Sequence, residues 1–354
     1  MPALTAQDID ALVVGVELLG SGGGGDPATL GRVLRRRLGD GRIDLHAQTD
    51  LDERVVVPVG VVGSISVFLE KLPSGAELAG AVNAVCRWSG VQASAVMSIE
   101  AGGLNGITGL VASLDLQLPF LDADLMGRAF PRLDQFSWAV EGLPLTPCAL
   151  YEPGGQIVVF DSASPAGLER AVRAFLSQTG GWAALALPPL PVPTAVSAAL
   201  TGSVSRALEL GRAYTRLGES PSAGAVETAL GGRVLADGRV TEVSRHPNTG
   251  AFGRGSATVI DTRSGAVVRI ETENEYLLAL VDGRPEVSTP DLLCLLDRRT
   301  ARPLAVDQVR TGDEVLVTAL PGPSWWWQTE NRLAAVGPPA FGLNTEALLL
   351  ETRR

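Results

Sequence analysis

The sequence predicts an α/β domain followed by an all-β domain, because its hydrophobic period changes part-way along the chain. From Thr5 to about Leu217, helical stretches alternate with short apolar strands; after Gly218–Gly224, rich in Gly, Ser and Pro, period-two stretches dominate. Thr5 stands where a helix cap is needed, ahead of Ile9, Leu12, Val13, Val16 and Leu19 at helical spacing. Asp26 and Pro27 form a cap and first-position pair for a second helix through Leu30, Val33, Leu34 and Leu38. Strands are expected at Ile43–Ala47, Val55–Val59, Ala93–Ile99, Phe120–Asp122, Ile157–Phe160 and Trp182–Leu187. Helices are expected near Gly75–Trp88, Ile107–Leu116 and Pro165–Gln178, and Thr194–Leu217 reads as one long linker helix. This order predicts a mixed or parallel sheet with helices on both faces. In the second half, stretches at Arg233–Leu235, Val240–Ser244, Ala257–Asp261, Val267–Glu271, Tyr276–Val281, Leu292–Leu296 and Glu314–Leu320 predict a small β-barrel or sandwich. Arg263-Ser264-Gly265 and Asp282-Gly283 supply hairpin turns between them. The domains are placed at 1–190 and 218–354, joined by the helix at 191–217.

Composition narrows the class of function. The chain has 354 residues, 45% of them hydrophobic and only 19% charged, which describes a folded, apolar protein. A net charge of -10 argues against a nucleic-acid partner. Arg35-Arg36-Arg37 ends a helix and complements its dipole. Cys86, Cys148 and Cys294 form no CxxC pair and suggest no disulfide framework. Cys148, behind Pro147, reads as the most accessible of them. Asp8 and Asp10 occupy the place of a basic leader, and no apolar run reaches membrane-spanning length. A cytoplasmic protein without a membrane partner is expected. Trp325-Trp326-Trp327 cannot all face one core, so one or two are expected to cover an interface or a ligand, or to close the barrel end; with the apolar surplus this favours a homo-oligomer.

Three clusters carry candidate chemistry. Gly20–Gly25 and Asp26 form a glycine run between two helices, with surplus glycines beyond the one that ends the first helix. Ser21, Gly22, Gly23, Gly24, Gly25 and Asp26 therefore read as a backbone cradle for an anion or oxyanion, or as a plain interhelical link. Glu100 and Asn105, in Ile99–Gly106, follow an apolar strand, where α/β sheets place ligands, or serve as a strand-ending acid and a helix cap. Asp122, Asp124 and Arg128, in Asp122–Pro131, read as a site or as a salt-bridge network. His46 and His246 lack partners at ligand spacing, which leaves either no cofactor or a divalent metal on Asp122, Asp124 and Glu100. Glu70-Lys71 reads as a solvated pair. In the second half, Arg254 lies in a loop, Thr249–Gly255, able to reach a neighbouring site, and Glu273-Asn274-Glu275 interrupts an apolar strand pattern.

Leu19–Pro27 (LGSGGGGDP), Glu70-Lys71, Glu100–Asn105 (EAGGLN), Asp122–Pro131 (DADLMGRAFP), Phe252–Gly255 (FGRG), Glu273–Glu275 (ENE) and Thr289–Leu292 (TPDL), taken in order, resemble the S-methyl thiohydantoin desulfurase family. The resemblance implies an N-terminal three-layer α/β/α sandwich domain and a C-terminal β-barrel-like domain. It further implies a small cyclic amide or imidazolone-type substrate and a hydantoinase- or oxoprolinase-type partner. Hydrolytic desulfurization of such a ring needs a base, a donor for developing charge and an anchor for a substrate carboxylate. Glu100 or Asp124 is expected as base and proton shuttle, with the glycine-loop amides as donors. Arg128, oriented by Asp122, or Arg254 is expected as anchor. The rival reading is a non-catalytic binding subunit of a hydantoinase-type enzyme. A nucleotide-binding enzyme is the weakest reading, because the run lacks a P-loop ending.

Overall fold

The computed structural model describes residues 2–246 and 253–350, with the backbone alone for Ile65, Ser66 and Leu69. Thr249–Phe252 of the expected Arg254 loop, Met1 and residues 351–354 lie outside the described residues.

The N-terminal half is built on a nine-stranded mixed sheet. Its order is Ala3–Thr5, Arg42–His46, Phe120–Leu121, Ala95–Ser98, Val55–Gly63, Trp182–Ala186, Cys148–Tyr151 and Ile157–Phe160, with Leu190–Pro191 paired on Val55–Val56. Arg42–His46, Phe120–Leu121, Ala95–Ser98 and Val55–Gly63 run parallel, and the strands beyond them antiparallel. Alternation within each buried strand feeds two cores. Val57, Val59, Val96 and Ala184 pack on one face with the helices Ile9–Leu19, Ala28–Leu38, Glu77–Ser89 and Asn105–Leu116. Val56, Ala95, Met97 and Leu185 pack on the other with Ser137–Val140, Pro165–Gln178 and Val192–Val196. The result is the three-layer α/β/α sandwich.

The expected helix Thr194–Leu217 is broken. Val192–Val196 is followed by a short strand, Leu200–Thr201, that pairs with Ala123–Asp124, and a second helix covers Ser203–Thr215. Gly202, at φ 75°, turns the chain between them. The second helix lies against Ile9–Leu19 so closely that a Cβ on Gly15 would sit 1.8 Å from the Ala207 carbonyl oxygen. Cys148, read as accessible, is fully buried on its strand, as are Cys86 and Cys294 on theirs or in their helix, and all three are free thiols.

The C-terminal half is an eight-stranded antiparallel sheet. Its order is Arg284–Ser288, Glu275–Val281, Val267–Glu273, Arg254–Asp261, Arg233–His246, Glu314–Leu320, Leu292–Asp297 and Pro303–Leu304. Glu275–Val281 and Leu292–Asp297 pack together without being ladder neighbours, so the sheet curls. No ladder joins its two edges among the described residues, so the expected β-barrel-like domain is a curled sheet that the ladders leave open. The break expected between Leu235 and Val240 is absent. Gly238 is a strand residue whose missing Cβ admits the Ile260 carbonyl, at 2.0 Å from where that carbon would lie.

Candidate functional site

The three glycine- and acid-bearing clusters meet at one place. Gly102 and Gly103 press directly on the backbone of Ala129 and Gly24; the Leu104 amide donates to the Gly24 carbonyl (2.9 Å) and the Ala129 amide to the Leu19 carbonyl (3.0 Å). The absent side chains serve this backbone-on-backbone contact. The C-terminal sheet closes the assembly from outside. The Tyr276 ring lies on Gly22, the Glu275 carboxyl lies on Gly23, and the Tyr276 amide donates to the Ser21 carbonyl (2.8 Å).

Beside this junction is a cavity of about 110 Å³ whose lining includes Gly24, Glu100, Asn105, Phe130, Asn274 and Glu275. Glu100 follows the buried Ala95–Ser98 strand. Its Oε1 accepts from the Phe130 amide (3.0 Å) and its Oε2 from Asn105 Nδ2 (3.0 Å). Asn105 is itself clamped to the neighbouring strand, accepting from the Val61 amide (2.7 Å) and donating to the Val61 carbonyl (3.0 Å). It therefore cannot turn its amide over without losing both bonds. Burial pushes the Glu100 carboxyl up to about 8 against these two donors, with Glu275 and Asp124 adding repulsion. Burial also pushes Glu275 up to about 8, opposed by Asn274 and by the Arg128 charge. Two acids in one low-dielectric cavity ionise as a pair, and the first charge discourages the second. Glu100 receives two donors, whereas Glu275 receives one, from Asn274 Nδ2 at 2.5 Å, and its Oε2 has no partner. The two donors favour the pair's negative charge on Glu100, against the Arg128 attraction, which falls mainly on Glu275.

Of the residues assigned a site role from the sequence, Gly24, Glu100 and Asn105 line this cavity, and the others have different surroundings. The Ser21 hydroxyl donates to the Leu293 carbonyl (2.9 Å) and accepts the Leu293 amide (3.0 Å), pinning the glycine run to the second domain. Gly22 and Gly23 carry Tyr276 and Glu275 on their bare backbone, and Gly25 is a turn residue at φ 78°. Asp26, exposed, accepts from the Ala28 amide (2.8 Å) and starts the Ala28–Leu38 helix. Asp124 is fully buried; it accepts the Met126 (2.9 Å) and Gly127 (2.6 Å) amides and the Ser203 hydroxyl. Asp122 accepts the Val204 (2.7 Å) and Ser205 (3.3 Å) amides and the Ser205 hydroxyl (2.6 Å), so it caps the Ser203–Thr215 helix from a distance. The proposed metal set is thereby dispersed, and no group of three His, Cys, Asp or Glu side chains is arranged to hold a metal among the described residues. Arg128 is fully buried and donates to the Asp291 carbonyl (2.6 Å) rather than to Asp122. Arg254 pairs with Glu273 at 2.9 Å. Lys71, expected beside Glu70 in solvent, lies 3.6 Å from Glu152. Trp326, fully buried, donates to the Met126 carbonyl (2.8 Å) and packs edge-on against Phe130, so this one member of the triplet braces the cavity wall.

Asp122→Ala is expected to leave two helix-start amides without acceptors and to destabilise the protein by about 2 kcal/mol. Thermal denaturation reads this loss; ligand affinity in the cavity should be unchanged. A weakened affinity at equal folding would place Asp122 in the site after all.

Glu275 and Asn274 were read in the sequence only as a polar interruption. Their signal was a buried-strand pattern carrying two acids, which no local rule requires.

Residues 7–162 match the S-Me-THD-like N-terminal domain and residues 163–348 the S-Me-THD-like C-terminal domain. The chain belongs to the S-Me-THD-like family. No curated protein matches it. A crystal structure of a protein from Chromobacterium violaceum superposes with a TM-score of 0.82 at 20% identity, covering 99% of this S-Me-THD-like chain and 100% of that one. At that identity the match shows a common fold. No helix among the described residues is long and apolar enough to cross a membrane.

Proposed function

We propose that the protein hydrolyses a small S-alkyl thiohydantoin-like ring, releasing a thiol, with Glu100 as base and proton shuttle. The observation that supports this most is Glu100 itself: a carboxylate fixed by two donors, facing a largely apolar cavity beside a second buried acid. A cavity on the order of 150 Å³ takes one benzene ring, so this one suits a single five-membered ring. Glu100 takes a proton from a water whose oxygen bonds to the ring carbon between the two nitrogens. The displaced electron pair goes to a ring nitrogen. The C–S bond then breaks with its pair on sulfur as the new carbonyl forms. One water proton ends on the ring nitrogen and the other on sulfur, both by way of Glu100. The leaving group departs as a neutral thiol.

The test is methanethiol release from an S-methyl thiohydantoin by purified protein, with and without added divalent metal. Rates should rise as the acid pair loses its first proton and fall as it loses its second. Absence of thiol under all these conditions, with hydantoins still binding, would leave the binding-subunit reading in its place.

A further inference from the structure

We propose that Glu275 works as a neutral carboxylic acid that recognises the cis-amide edge of the ring, a ring N–H and its adjacent carbonyl together. This rests on the ring-hydrolysis reading for the identity of the ligand but not on turnover. Glu275 is 1% exposed at the start of the Glu275–Val281 strand, and it reaches the N-terminal domain's cavity from the C-terminal domain. Asn274, held in the left-handed region at φ 64°, donates to Oε1 at 2.5 Å. Oε2 is buried without any partner, an arrangement that calls for a ligand.

The charged groups around Glu275 come from each neighbouring segment: Glu100, Glu273 beside it, Arg128 across the junction, and on the cavity wall Arg132, which lies 3.8 Å from Glu273, with the Glu169–Arg173 pair. Arg128 turns donors to the carbonyls of Asp291 (2.6 Å) and Ala129 (3.1 Å), and its Nη2 is also unpartnered. Burial, with Glu273 and Glu100 adding like charge, outweighs the Arg128 attraction, so the proton stays on Glu275. A neutral carboxyl offers an O–H donor beside a carbonyl acceptor. A lactam or hydantoin edge is its complement, because a ring forces the amide cis. An open-chain trans amide points its N–H and C=O in opposite directions and pairs with one oxygen only. Glu275 therefore selects closed rings over open-chain secondary amides.

The experiment is calorimetric binding of hydantoin, and of a hydantoin methylated on both ring nitrogens, to the wild type, Glu275→Gln and Glu275→Ala. Gln offers the same adjacent donor and acceptor as a neutral acid. Expected are hydantoin affinities within about threefold for wild type and Glu275→Gln, with a loss of about tenfold or more in Glu275→Ala. The dimethylated ring should bind the wild type about tenfold more weakly. Between about pH 6 and about pH 10, wild-type affinity should fall more steeply than that of Glu275→Gln, since ionisation of the ring N–H and of Glu100 acts on both. This pH comparison stands even if the alanine variant fails to fold. The proposal is overturned if folded Glu275→Gln loses affinity as alanine does, which means an ionised Glu275 facing Arg128. It is equally overturned if alanine or the dimethylated ring makes no difference, or if hydantoin does not bind. Hydantoin binding without thiol release would instead count against the hydrolysis reading alone.

Discussion

Glu100→Gln is expected to lower thiol release by about 10²–10⁴-fold, the usual contribution of a positioned base. The substitution keeps the shape but puts an amide NH₂ against a donor, because Asn105 Nδ2 and the Phe130 amide both point at the native carboxyl. Asn105 cannot rotate to accept, being clamped on both Val61 groups. At about pH 5, where the native carboxyl is protonated, the variant should therefore be less stable by roughly one hydrogen bond, about 1 kcal/mol. The sign reverses with pH. In the unfolded chain the carboxyl ionises above its ordinary value of 4.5, whereas in the fold it holds its proton until about 8. A raised folded pKa means that native stability is fully present below the lower value and is lost as pH climbs to the upper one. Gln does not titrate, so the melting temperature of Glu100→Gln relative to wild type should rise by about 6 °C across this window. A purely structural Glu100 moves the stability and spares the turnover. A base moves both.

The fold was legible because period and punctuation agree over long stretches. Pro165–Gln178 is a helix with the boundaries that Ser164 and Pro165 announce. The strand alternation in Val56, Val57 and Val59 is the alternation between the two cores. The misreadings have a common cause: tertiary partners that local sequence cannot display. Leu200–Thr201 leaves a helical pattern to pair with Ala123–Asp124, some eighty residues earlier. Gly238 looks like a turn and is an allowance for a neighbouring carbonyl. The same limit governs the site. Asp122 and Asp124, two residues apart after a strand, looked like chemistry and serve backbone amides and hydroxyls at the start of the Ser203–Thr215 helix. That Glu100 lines a cavity was legible because a strand end in a parallel sheet is a general place for a ligand. Glu275 comes from the other domain and depends on a contact across the glycine run, which no spacing encodes.

Gly103→Ala is expected to abolish the cavity's chemistry through that contact. Gly103 sits at φ 61°, and a Cβ there would lie 2.1 Å from the Gly24 carbonyl oxygen and 2.3 Å from its carbon. Both obstacles are backbone, and that carbonyl already accepts the Leu104 amide at 2.9 Å. Relief requires the glycine run to move as a unit. The run carries Glu275 on Gly23 and is tied to the second domain through Ser21, so both acids lose their relative placement. Overpacking together with the left-handed penalty should destabilise the fold by about 3 kcal/mol, or about 4 °C in melting temperature for a chain of this length. Gly90→Ala is the control. Gly90 has a similar φ of 67°, but a Cβ there meets nothing within 4 Å. It should lose only the conformational part, about 1 kcal/mol, and keep full hydantoin binding and thiol release. If Gly103→Ala behaves like Gly90→Ala in melting and in binding, the backbone contact between the two glycine turns does not hold the acids in register. The pair would then owe its geometry to the two sheets alone.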